Sequence, residues 1–174
     1  MTRHKLLMTW TLAALLSACG MQREALVTPV PRPPFDDGLV VRKSVREMDR
    51  VEGGRVVRTY RIALGENPIG PKQRQGDERT PEGFYVLDYR NPRSQFHKSL
   101  HISYPNAEDR QRAARQGVPP GGDIMLHGTG TIPLSVHRTD DRWTDGCIAV
   151  TNDEIDELWT VLPADRPVPI LILP

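Results

Sequence analysis

Gly122-Asp123-Ile124-Met125-Leu126-His127-Gly128 and, downstream of it, Thr144-Asp145-Gly146-Cys147-Ile148-Ala149 are the two stretches on which the reading of this chain turns. Residues 123–126 read as a brief apolar strand, and the glycine after His127 suits a side chain emerging at a strand end. In the second stretch a cysteine follows a glycine and opens the apolar run 148–150. A nucleophilic thiol must be partly exposed, must become a thiolate, and needs backbone donors for the oxyanion it creates. Gly146 permits close approach of a substrate and unusual backbone angles, so the amides of Asp145, Gly146 and Cys147 could converge on a developing negative charge. A histidine is the natural acceptor for the thiol proton. Read singly, each residue also fits a plainer role: a small buried thiol beside Ile148 and Val150, and a structural histidine.

Working outward, Thr151-Asn152-Asp153-Glu154 is a capping box opening a helix to about residue 161, and 168–173 is a last apolar strand. Upstream, 39–45 and 55–64 are rich in Val, Ile and Tyr alternating with Arg, as half-buried strands are, and Glu52-Gly53-Gly54 between them suggests a hairpin. A long Pro- and Gly-bearing loop follows over 65–83, then strands over 84–89 and 100–104. Asn106 caps a short charged helix running to about 116, where Gly117 ends it; its charges read as a solvated face. The sum is a single β-rich α+β domain over 39–174, with a mixed β-sheet or sandwich core and one or two helices.

The first residues are of another kind. Arg3 and Lys5 precede the apolar run 6–16, which is shorter than the roughly 20 residues a membrane span requires, and Leu16-Ser17-Ala18-Cys19 closes it. Such a layout reads as a bacterial lipoprotein signal over 1–18, with Cys19 lipidated as the new N-terminus. Gly20 stands where Asp would signal inner-membrane retention, which favours the outer membrane of a Gram-negative cell, the domain facing the periplasm. Val27-Thr28-Pro29-Val30-Pro31-Arg32-Pro33-Pro34 then serves as an extended spacer within the 19–38 tether. The formal charge of +1 and the lack of a basic stripe with interleaved aromatics argue against nucleic acid. With Cys19 lipidated, Cys147 has no disulfide partner in an oxidising compartment.

The two opening stretches resemble the YkuD-type L,D-transpeptidase catalytic domain, which carries a His, a spacer, then Ser/Thr-His-Gly-Cys, an apolar residue, and Asn or Arg. Here His127 is followed by the sixteen residues 128–143 and then by Thr144-Asp145-Gly146-Cys147-Ile148-Ala149. Asp145 departs from the usual second His, and Ala149 from Asn or Arg. Gly76-Asp77-Glu78-Arg79-Thr80-Pro81-Glu82-Gly83 and Phe96-His97-Lys98-Ser99-Leu100-His101-Ile102-Ser103-Tyr104-Pro105 also look like segments of that family, so the likeness runs from about 39 to 174. It implies Cys147 as the acylated nucleophile and His127 as its base. Gly128 stands beside His127 in the matched motif. Peptide groups around Gly146 and Asp145 would form the oxyanion hole, with Thr144 holding the loop. The implied partner is the peptidoglycan stem peptide, cut after its third residue and joined to an amine in a 3→3 cross-link, with no cofactor. Cys147-Ile148-Ala149-Val150-Thr151 resembles a subgroup that includes an amidase releasing a wall-attached lipoprotein, so carboxypeptidase or amidase chemistry stands beside transpeptidation.

His97, His101 and Tyr104 are candidates for lining the substrate groove. A metal shared by His97, His101 and His127 is disfavoured, since no catalytic Glu or ligand-spaced carboxylate accompanies them. His137, in the intervening loop, reads as solvated, and the loop 129–142 as a lid or binding segment. The remaining class is a non-catalytic wall-binding lipoprotein, which the presence of both His127 and Cys147 argues against.

Overall fold

Leu39, Val40 and Val41 are all buried, although neighbouring residues of a strand point to opposite faces. A strand buried on both faces belongs inside a sheet, and β1 (Gly38–Arg42) lies between two others. The computed structural model describes residues 33–174; Cys19, the signal-like segment and most of the tether lie outside the described residues. A 3-10 turn at Lys43–Val45 reverses the chain into β2 (Glu47–Glu52), and Gly53-Gly54 turns it into β3 (Arg55–Arg61). There follow β4 (Leu64–Gly65), β5 (Gly83–Ser94), β6 (His97–Ile102), α1 (Ala107–Arg115) and β7 (Met125–His127). The chain finishes with α2 (Leu134–Thr139), β8 (Arg142–Thr144), β9 (Ile148–Ala149), α3 (Asn152–Val161) and β10 (Val168–Leu173).

Eight strands make one mixed sheet in the order β3-β2-β1-β10-β5-β6-β7-β9, and β4 pairs with β8 beside it. The last strand therefore inserts at the centre, parallel to β1 and antiparallel to β5. The core cluster includes Leu39, Met48, Tyr60, Leu100, Leu126 and Ile170. Helix α3 packs on β6 and β7, burying Ile155 and Leu158. Its capping box forms as its sequence dictates: Thr151 Oγ1 accepts from the Glu154 amide, and the Glu154 carboxylate accepts from the Thr151 amide. Asn106 and Asp109 do the same for α1. No helix among the described residues is long and apolar enough to cross a membrane.

The β-rich α+β class holds, with differences of detail, among them that the strands expected over 84–89 and 100–104 run as Gly83–Ser94 and His97–Ile102. The strand expected over 39–45 ends at Arg42, and the charged stretch Glu47–Glu52 is itself a strand. Asp49 is buried there on the face opposite the core residue Met48, where Arg42 and Thr59 hydrogen-bond its carboxylate. The loop between His127 and Cys147 contains a third helix, α2, and the strand β8.

Candidate active site

At the edge of the sheet β7 and β9 run parallel, with Leu126 opposite Ile148 and His127 opposite Ala149. Carrying this register back one residue sets Cys147 opposite Met125. Residues opposite one another, and residues two apart on a strand, share a face. Cys147 and His127 are thus diagonal neighbours on one face, while Leu126 and Ile148 enter the core on the other. The Met125 amide donates to Cys147 Sγ at 3.4 Å, and the thiol donates to the Asp123 carbonyl oxygen at 3.6 Å. Ser99, opposite His127 on β6, completes a row across three strands.

His127 is 2% exposed. Its ring stacks on Phe96, centroids 4.5 Å apart and planes at 23°, and meets the edge of Trp143 at 5.8 Å. Nδ1 lies 2.6 Å from the Gly128 carbonyl oxygen. That oxygen can only accept, so Nδ1 carries the proton and Nε2 is left with its lone pair. Burial, with the nearby His137 adding to it, pushes the imidazole down to about 4, against the weaker upward pull of the Gly128 carbonyl. Burial pushes the Cys147 thiol up; the Met125 amide and Lys72 pull it back, while Asp145 and Asp123 oppose ionisation. The pair therefore rests as neutral thiol and neutral imidazole, an arrangement in which the ring can take the thiol proton as the sulfur attacks.

The Cys147 turn is held from both ends. Thr144 Oγ1 donates to the Cys147 carbonyl at 2.7 Å and accepts from the Gly146 amide at 3.3 Å. Gly146 has φ +118°, and a Cβ there would stand 2.6 Å from the Arg79 carbonyl, so only glycine fits. Because Thr144 already engages the Gly146 amide, the Asp145 and Cys147 amides are the better placed to receive an oxyanion. Beyond His127, Asn152 clamps the next turn: Oδ1 accepts from the Gly130 amide at 2.9 Å and Nδ2 donates to its carbonyl at 2.9 Å. A Cβ on Gly128 would meet that same Oδ1 at 2.6 Å.

A groove of about 840 Å³ opens over this face, lined by Cys147, His127, Asp145, Thr144, Ser99 and Lys72 among others, a size suited to a peptide-sized ligand. His97, His101 and Tyr104 do not line it. His97 Nε2 is 2.8 Å from Asp156 on α3, and His101 Nδ1 is 2.6 Å from Asp88 on β5. Tyr104 is buried against Tyr85 and donates to the Pro120 carbonyl. His137, expected to be solvated, is 2% exposed with its ring against the edge of Trp143. Phe96, Trp143, Lys72 and Asn152 were not singled out from the sequence. The aromatic pair belongs to stretches already noted for their likeness, and Asn152 to the capping box of α3, but no local pattern marks Lys72.

These features define a class: a mixed sheet that presents a histidine and a cysteine from neighbouring parallel strands. Residues 36–170 match the L,D-transpeptidase catalytic domain, and the chain belongs to that family. Among curated proteins it is similar to YafK of Escherichia coli (strain K12), an L,D-transpeptidase by name, with 36% identity over 103 residues; that is 58% of this chain and 35% of the relative. The chain thus spans about a third of the length of that relative. Among solved structures, the helical cell shape determining protein Pgp2 from Campylobacter jejuni superposes with a TM-score of 0.60 at 28% identity, covering 79% of this chain and 48% of that one. Bd1075 of Bdellovibrio bacteriovorus gives 0.56 at 26%, again over 79% of this chain and 48% of the other.

Proposed function

We propose that this chain is a cysteine acyltransferase of the bacterial envelope acting on peptidoglycan tetrapeptide stems, tethered through lipid on Cys19 and facing the periplasm from the outer membrane. The observation that carries the reading is the Nδ1–H bond of His127 to the Gly128 carbonyl, which leaves Nε2 free on the face it shares with Cys147. In the reaction, the Cys147 proton passes to Nε2 as sulfur attacks the carbonyl carbon of the stem's third residue, next to its L-centre. The carbonyl oxygen becomes an oxyanion received by peptide N–H groups of the Asp145–Cys147 turn. Collapse breaks the carbon–nitrogen bond, and the leaving D-alanine amine takes the proton from His127, leaving a thioester. An amine of a second stem then attacks, yields its proton to His127 and displaces the thiol, forming a 3→3 cross-link.

Water in place of the amine gives a carboxypeptidase or amidase by the same steps. The open groove, and acidic Asp145 and Asp123 beside the sulfur, favour keeping that second reading. Intact-mass analysis of the protein with disaccharide-tetrapeptide, run beside Cys147→Ala, tests both. An adduct on wild type alone with dimeric products supports transfer, and shortened stems without dimers support hydrolysis. Neither adduct nor product, even with wall-linked lipoprotein as substrate, would leave a non-catalytic wall-binding protein.

A further inference from the structure

We propose that Lys72 is a specificity-determining residue that binds the free carboxylate on the amino acid leaving from Cys147. The inference deepens the function proposed above and rests on it. Lys72 lies in the segment between β4 and β5, is 3% exposed, and nonetheless lines the groove beside Cys147. A buried ammonium is tolerated only when it is paired. Its Nζ donates to Asp77 Oδ1 at 2.7 Å, and among the described residues Asp77 is its hydrogen-bond partner. An ammonium has three donors, so donor capacity remains in the groove wall.

The rest of the segment holds this cation in place. Asp77 accepts from the amides of Gln73, Arg74 and Arg79. Lys72 and these amides outweigh burial and hold its carboxyl below the usual range, so Asp77 stays ionised and pins the lysine. The Gln75 amide bonds the Pro119 carbonyl at 2.9 Å, tying this wall of the groove to the segment that leads to Asp123. Elsewhere near the sulfur the lining is acidic, with Glu78, Asp123 and Asp145. The other lining cation, Arg93, comes from β5 and is exposed. Lys72 is also close enough for its charge to act on Cys147.

The chemistry of the proposed donor supplies the matching group. A D-amino acid at the end of a tetrapeptide carries its carboxylate on the carbon bonded to the scissile nitrogen. With the attacked carbon at Cys147, that negative charge must lie close to the sulfur, among carboxylates that repel it, and Lys72 is the buried cation there. Amidation of the terminus removes the charge without changing the bond to be cut.

The test measures kcat/KM of the full-length protein on disaccharide-tetrapeptide with a free C-terminus and on the same compound ending in a carboxamide. Wild type is expected to favour the acid by about 10–100-fold, the range of a hydrogen bond between charged groups. Lys72→Met should bring the preference near unity by slowing the acid far more than the carboxamide, whose smaller loss reports the lysine's charge acting on Cys147, and Lys72→Arg should keep part of the preference. Lys72→Met with Asp77→Asn removes both charges, guards against misfolding from an orphaned carboxylate, and should show the same loss. An undiminished preference in the lysine variants, or none in wild type, overturns the assignment. Turnover of neither compound by wild type would instead overturn the reading of the site on which it rests.

Discussion

Asp145 sits where the family most often has a second histidine, and its negative charge raises the thiol beside it. The resting sulfur is a protonated thiol first because it is buried, with Asp145 and Asp123 adding to that and the Met125 amide and Lys72 opposing it. Asp145→Asn removes one of the two carboxylates that resist ionisation while leaving shape nearly unchanged. We expect alkylation of Cys147 by iodoacetamide at pH 8 to accelerate about 2–5-fold, since the rate follows the thiolate fraction; an unchanged rate would mean that the carboxylate points away from the sulfur. At this scale the sequence was most informative, because His127 and Cys147 carry their chemistry in their identity and spacing. Lys72 was opaque for the opposite reason: a lysine in a loop rich in Gly, Pro and charge reads as solvated. Only the placement of Asp77 and the Pro119–Asp123 segment around it shows that it is buried.

At the level of elements, the turn after β7 is positioned by α3. Asn152, the first residue of that helix, holds both polar groups of the Gly130 backbone and accepts from Thr129 Oγ1 at 3.3 Å. The same turn begins with Gly128, whose carbonyl fixes the His127 tautomer. Asn152→Ala should therefore cost about 1–3 kcal/mol, read in urea unfolding, and should lower the acylation rate more than it lowers alkylation of Cys147. Asn152→Asp keeps the acceptor and loses the donor, so it should fall between. Equal losses in acylation and alkylation would point to general loosening of the site. Most elements were legible because their local chemistry agrees with the fold: the Asn106 cap of α1, the capping box of α3, the Gly53-Gly54 turn and the apolar β10. β2 was not legible, since it reads as a charged stretch, its buried Asp49 being stabilised by Arg42 and Thr59 from the neighbouring strands. Neither were α2 and β8, at six and three residues too short for a periodicity to show.

For the whole molecule, sheet order was beyond local reading, because β10 joins β1 and β5 through contacts between distant parts of the chain. His127, by contrast, is buried where Phe96 and Trp143 cover its ring, and that burial has a consequence for global stability. Above pH 6.5 the imidazole is neutral in both folded and unfolded chains and contributes no pH dependence. Below 6.5 the unfolded chain binds a proton that the folded one refuses until about pH 4. The unfolded state then holds more protons, so stability falls as pH falls through this window. The loss from this residue is on the order of 3 kcal/mol between pH 6.5 and 4, corresponding to roughly 2–4 °C in Tm per kcal/mol for a domain of this size. Asp77, whose folded carboxyl is held low, contributes stability that is lost only at more acid pH, as protons reach it below the ordinary carboxylate value, so the two effects separate. Urea unfolding of wild type and His127→Gln at half-unit steps from pH 7 to 4 measures the difference. The two stability curves should converge toward acid, the variant lacking the part of the slope due to His127; parallel curves would show that the imidazole protonates as readily in the fold as out of it.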